Sequence, residues 1–150
     1  MKTFMLLCLS LPVLTGIQPT LPVHKDTAEC IQQEYLMGQT DNEVIVICPD
    51  NISDAGGDEQ EVIRHEMVHV IHHNFGLIND ETIIPEPYFT DLVREHVPSE
   101  EVLLVITSDN YDDYTNQELE ARLLSKLPTP VIMSLYWVSQ EHATFNLSDI

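Results

Sequence analysis

Between positions 61 and 75 the apolar residues fall on two flanks of one helix. Ile63, Met67 and Val70 share one helical spacing, Val68, Ile71 and Phe75 share another, and a polar stripe runs between them. The spacing predicts a helix over 61–75 that packs on two sides and turns its stripe toward a cleft. Asp58 stands as its N-cap, with Glu61 three residues on as a capping box, and Gly76 as a left-handed C-cap. Elsewhere the pattern is shorter. Residues 27–37 read as a short amphipathic helix stopped by Gly38, 43–48 (E-V-I-V-I-C) as a buried strand ended by Pro49, and 50–57 as a polar turn. After Gly76 an acidic, proline-containing loop leads to a helix at 88–96 and a second apolar strand at 102–107. Positions 109–113 (D-N-Y-D-D) form an acid-dense loop that lacks calcium-loop spacing and reads as a solvated turn. From 115 the chain is helical again until Pro128 and Pro130 break it. A last apolar helix at 131–142 carries the only tryptophan, Trp137, read as core packing.

The amino terminus adds a processing expectation. Lys2 precedes an apolar run at 4–14, too short to span a bilayer and shaped like an export signal, so residues 1–20 read as a signal peptide and 21–150 as one domain. That places the mature chain in a secreted or periplasmic setting. Removal of the segment takes Cys8 with it and leaves Cys30 and Cys48, a pair compatible with one disulfide. Asn51 and Asn146 each begin an N-x-S acceptor pattern. Six Lys plus Arg against 25 Asp plus Glu give a formal charge of −19, which argues against binding a phosphate backbone or an anionic membrane.

The chemistry sits on the two-sided helix. Its stripe contains His65-Glu66-Met67-Val68-His69, an H-E-x-x-H pattern. Residues four apart on a helix share a face and rise about 6 Å, so two imidazoles can hold one zinc ion between them. Glu66, one step round, lies beside the metal's open position, where a carboxylate can take a proton from water. His72 and His73 extend the stripe but lie about 10–12 Å up the axis from His65, too far to join the same tetrahedron. They read as structural histidines, with His73 a candidate to support a ligand.

A catalytic zinc needs three protein ligands, and this helix supplies two. His24, His96 and His142 are isolated and read as surface or packing residues. Glu118 and Glu120 begin a helix and can present a carboxylate rigidly. Thr115-Asn116-Gln117-Glu118 is also a capping box, which gives Glu118 a competing structural role.

H-E-M-V-H-V-I-H-H, followed about fifty residues later by E-L-E-A-R-L-L-S-K-L-P, resembles the gluzincin branch of zinc metallopeptidases, and within it the ImmA/IrrE-type peptidases. By position the resemblance makes His65, His69 and Glu118 the zinc ligands and Glu66 the catalytic base. It implies a small α+β domain of minimal zincin type, with a short sheet beside the central helix, acting on peptide or protein substrates laid along an edge strand. Tyr111, Tyr114 and Arg122 are candidates for a donor that assists the metal. A non-catalytic, zinc-stabilised binding domain is the competing class, and it needs a fourth ligand such as His24, His96 or His142.

Overall fold

The computed structural model describes residues 21–25, 28–33, 36–41, 44–108 and 113–148. The signal-peptide segment 1–20, Cys8, the acid-dense positions 109–112 and Tyr111 lie outside them. In chain order the elements are β1 (Val23–Lys25), α1 (Ala28–Gln32), β2 (Gly38–Thr40), β3 (Ile45–Ile47), α2 (Pro49–Asp54), α3 (Glu59–Asn74), α4 (Tyr88–His96), α5 (Ser99–Thr107), α6 (Thr115–Leu124) and α7 (Thr129–Ser148). The class is α+β: helices beside a small sheet of order β1-β3-β2, in which β1 runs parallel and β2 antiparallel to β3. Ile45 and Ile47 on the central strand are fully buried, as the apolar run at 43–48 requires.

The two-sided helix is α3, and it packs on β2 and β3 on the one hand and on α6 and α7 on the other. Met67, Val68, Val70 and Ile71 are buried in one cluster with Ile45, Ile47 and Ile132, while Ile63 and Phe75 lie partly buried at its margin. Each such side chain contributes about 1.5–3 kcal/mol over leaving it exposed, so burial on both flanks fixes the direction of the polar stripe. The ends are capped as expected. Asp58 Oδ1 accepts the Gln60 amide at 3.0 Å. Gly76 takes φ 68°, its N–H donates to the His73 carbonyl at 2.9 Å, and the Leu77 N–H donates to the His72 carbonyl at 3.1 Å. That pair of bonds is the Schellman closure, which the left-handed glycine permits. Glu61 does not complete a capping box; its Oε1 lies 3.5 Å from Lys126 Nζ.

Three further expectations are corrected. The helix expected at 27–37 is only Ala28–Gln32, none of its residues is buried, and Ile31 is exposed, so it has no apolar face to anchor. Asn51 Nδ2 donates to the carbonyls of Cys30, Gln33 and Leu36 at 3.4, 3.1 and 2.8 Å, drawing the chain out of helix and into β2. The turn expected at 50–57 begins with a helix, α2: Pro49 sits at its start, where the fixed φ of proline suits a first turn, and Ile52 is buried. The strand expected at 102–107 is the helix α5. Glu100 and Glu101 in its first turn oppose the helix dipole, and Val105 is buried on the side toward α6 with Val102 packed beside it. Leu103, Leu104 and Ile106 are left exposed, a continuous apolar run divided between two faces.

Cys30 and Cys48 form a disulfide, tying α1 to the end of β3. The loop that it closes contains β2. Among the described residues no helix is long and apolar enough to cross a membrane.

Candidate metal centre and cleft

α3 carries His65, Glu66 and His69 on its polar stripe, and α6 returns Glu118 to meet the two histidines. Ala121, three residues beyond Glu118, is fully buried in the cluster shared with α3, and its single methyl lets the two helices approach closely. The amino end of α6 is fixed from a distance: Asp80, at φ 63°, accepts the Asn116 and Gln117 amides on Oδ1 at 2.7 and 3.0 Å. Glu118 is not taken up in a capping box either: its amide donates to the Tyr114 carbonyl at 3.0 Å and its two oxygens have other partners. Its carboxylate points at the two histidines.

The three side chains converge closely. His65 Nε2 and His69 Nε2 are 3.2 Å apart, and Glu118 Oε2 lies 3.3 Å from each. A tetrahedron with bonds of about 2.0–2.1 Å has edges of about 3.3–3.4 Å, so the triangle has the size of one face of a zinc site. Among the described residues this His-His-Glu group can hold a metal ion. His24 and His96 are exposed on β1 and α4, and His142 packs edge-on against Phe75, so none of the isolated histidines joins it.

Burial pushes the Glu118 carboxyl up, but the His65 and His69 imidazoles and the Arg122 guanidinium outweigh it and hold the group well below the usual carboxylate range. Arg122 Nη2 lies 2.9 Å from Glu118 Oε1, so the carboxylate is shared between the arginine and the histidines. Glu66 is 6% exposed, and burial raises its pKa against the pull of both imidazoles, with Glu118 adding to the rise. A carboxylate in that setting accepts a proton more readily than one in water.

A cleft of about 840 Å³ opens over these residues, with segment 36–40 along one wall and Leu104, Tyr114 and Gln117 among the residues opposite. Gly38 is the tight point. A Cβ there would meet Val62 Cγ1 at 2.7 Å and Glu66 Oε1 at 3.0 Å, so only glycine lets β2 lie against the base candidate. Sequence reasoning took Gly38 for a helix stop and missed this wall, because a three-residue strand, G-Q-T, is too short for an alternating pattern. It also missed Glu101, whose Oε2 lies 3.4 Å from Arg122 Nη1. The signal for it was the acidic first turn of α5, hidden by the β-branched run that follows.

Glu120, the other carboxylate considered, is fully buried and faces away from the centre. Its Oε2 meets His72 Nε2 at 2.7 Å and accepts the Ile83 amide at 2.8 Å, and its Oε1 accepts the Ile84 amide at 2.7 Å. Burial pushes His72 down, against the hydrogen bond to Glu120. His72 meets Glu120 through Nε2, and its Nδ1 is buried without a partner among the described residues. His72 is thus structural, as expected. His73 is exposed at the cleft, not packed. Of the donor candidates, Tyr114 and Arg122 both line the cleft, and Arg122 has a carboxylate on each terminal nitrogen.

Comparison of the chain with protein-family models, curated proteins and solved structures finds no match.

Proposed function

We propose that this chain is a zinc-dependent peptidase of zincin type, in which His65, His69 and Glu118 hold the metal and Glu66 is the general base. The observation that carries the proposal is the triangle of 3.2–3.3 Å among two imidazole nitrogens and one carboxylate oxygen, with the buried Glu66 beside it in an open cleft. Zinc bound there supplies Lewis acidity, polarising a peptide carbonyl and lowering the pKa of water to about 7.

The chain's own groups do the rest. Glu66 takes the proton of the attacking water as the C–O bond forms, then passes it to the leaving nitrogen as the C–N bond breaks. Its raised pKa suits both transfers. β2 is an edge strand along the cleft, so an extended substrate can add to it as a further strand, with Gly38 keeping that backbone close to Glu66. A non-catalytic zinc module fits less well, because the group has three members among the described residues and a structural site is closed by four. The Cys30–Cys48 bond, with the signal-like 1–20, supports export to a secreted or periplasmic location. Elemental analysis together with a peptide-library digest tests the proposal. About one equivalent of zinc, lost in His65→Ala and His69→Ala, and hydrolysis that stops on chelation are expected; full hydrolysis by metal-free protein would reject it.

A further inference from the structure

Resting on the metal assignment above, we propose that Arg122 is a positioning residue that confines Glu118 to ligation through one oxygen, and that Glu101 on α5 holds the arginine in place. The two oxygens of Glu118 have different surroundings. Oε2 lies 3.3 Å from both imidazole nitrogens, and Oε1 lies 2.9 Å from Arg122 Nη2, one helical turn further along α6. The other terminal nitrogen of the guanidinium, Nη1, lies 3.4 Å from Glu101 Oε2, while its Nε is buried without a partner among the described residues. Arg122 is held at its tip by carboxylates from two helices.

The chain of charges continues round the cleft. Lys126 Nζ lies 3.8 Å from Glu101 Oε1 and 3.5 Å from Glu61 Oε1, so alternating charges run from the ligand helix α6 through α5 to α3. This arrangement has a consequence for ligand number. A carboxylate whose second oxygen is free can swing it onto a metal and fill the position that a substrate or water needs. A charge-assisted bond to Oε1 keeps that oxygen away. Arginine suits the task because its planar fork reaches two carboxylates at once, whereas a lysine is a single compact charge.

Affinity alone reads this role poorly, because removing a nearby cation and removing an orienting bond act on metal binding in opposite directions. The test is the visible absorption of the full chain loaded with Co²⁺, beside the melting temperature of each metal-free form. Wild type is expected to show the intense bands of four-coordinate cobalt. Arg122→Met should lower their absorptivity severalfold, as Glu118 closes with both oxygens, and Arg122→Lys should restore much of the loss through one bond to Oε1. Glu101→Gln should produce part of the same change without altering α6. Wild-type bands in Arg122→Met, even with a lower melting temperature, would overturn the inference and leave only a structural role. If that variant does not fold, wild-type bands in Glu101→Gln would overturn it. Failure of the wild-type chain to bind Co²⁺ would instead reject the metal assignment on which the inference rests.

Discussion

Glu118 and Glu120 stand two positions apart on α6 and serve opposite sides of it: Glu118 Oε2 meets His65 and His69 at 3.3 Å, whereas Glu120 is fully buried against His72 and the Ile83 and Ile84 amides. Two helical steps turn a side chain through about 200°, so one short segment can supply both a ligand and a buried anchor. Glu118→Gln is expected to weaken zinc retention and leave the fold nearly intact. Glu120→Ala strands buried donors and should cost about 3–5 kcal/mol of stability, with zinc binding kept at temperatures where the protein stays folded. Chelator competition and urea unfolding on both variants separate the two roles. An exchange of the two phenotypes would mean that the ligand has been misassigned.

Acid should destabilise the metal-free protein in two stages. His72 is held below its ordinary 6.5, so the unfolded chain takes up its proton first and stability falls as pH drops below about that value. Glu118 is held below its ordinary 4.5 by the imidazoles and Arg122 against burial, so its contribution is present above that value and lost as pH falls further. Glu66, raised by burial, acts in the opposite sense and offsets part of the second stage. Urea midpoints across the acid range should fall in both windows. Glu118→Gln should flatten the lower one, and an unchanged profile in that variant would contradict the assigned cause.

Gly38→Ala should reduce turnover without removing metal. The added Cβ has Val62 Cγ1 at 2.7 Å and Glu66 Oε1 at 3.0 Å, so either β2 shifts outward or the carboxylate turns. No metal-ligand candidate lies in that contact. Zinc content close to wild type with a lower kcat is the expected pair of results, and wild-type kcat would show that the close approach is without consequence. Val62→Ala in the same chain removes the nearer obstacle and should recover part of the loss.

The Cys30–Cys48 bond closes a loop with a sequence separation of 18 and should contribute about 3 kcal/mol, mainly by restricting the unfolded chain. Replacement of both cysteines by serine should lower the urea midpoint accordingly. His65, His69 and Glu118 lie on α3 and α6, outside the loop, so zinc affinity of the folded fraction should change little. Loss of zinc from folded protein would contradict this separation.

The parts of the centre that were legible in the sequence are those set by local rules. The spacing of His65 and His69, the Asp58 cap and the Gly76 terminus depend on neighbours along one helix, and β3 announced itself by an unbroken apolar run. Glu118 and Glu120 were both visible as candidates, but which of them met His65 and His69, and which met His72, depended on how α6 packs on α3, a long-range matter. The capping-box alternative for Glu118 lapsed because α6 starts from Tyr114 and not Thr115, and both oxygens of the Glu118 carboxylate are taken by His65, His69 and Arg122. Residues 102–107 misled because their β-branched side chains are divided between a buried and an exposed face, which an apolar run does not reveal. β2 was invisible at three residues, and its place against Glu66 follows from Gly38 having no side chain.

The central claim is that Glu66 moves a proton at a metal held by His65, His69 and Glu118, and the most direct test is peptide hydrolysis by zinc-loaded Glu66→Gln beside zinc-loaded wild type. Glutamine keeps the size of the side chain and removes its basicity, so zinc should be retained in full while kcat falls by about 10²–10⁴-fold. Wild-type kcat in the zinc-loaded variant would contradict the account, and loss of zinc would show that Glu66 holds the site together instead of acting as its base.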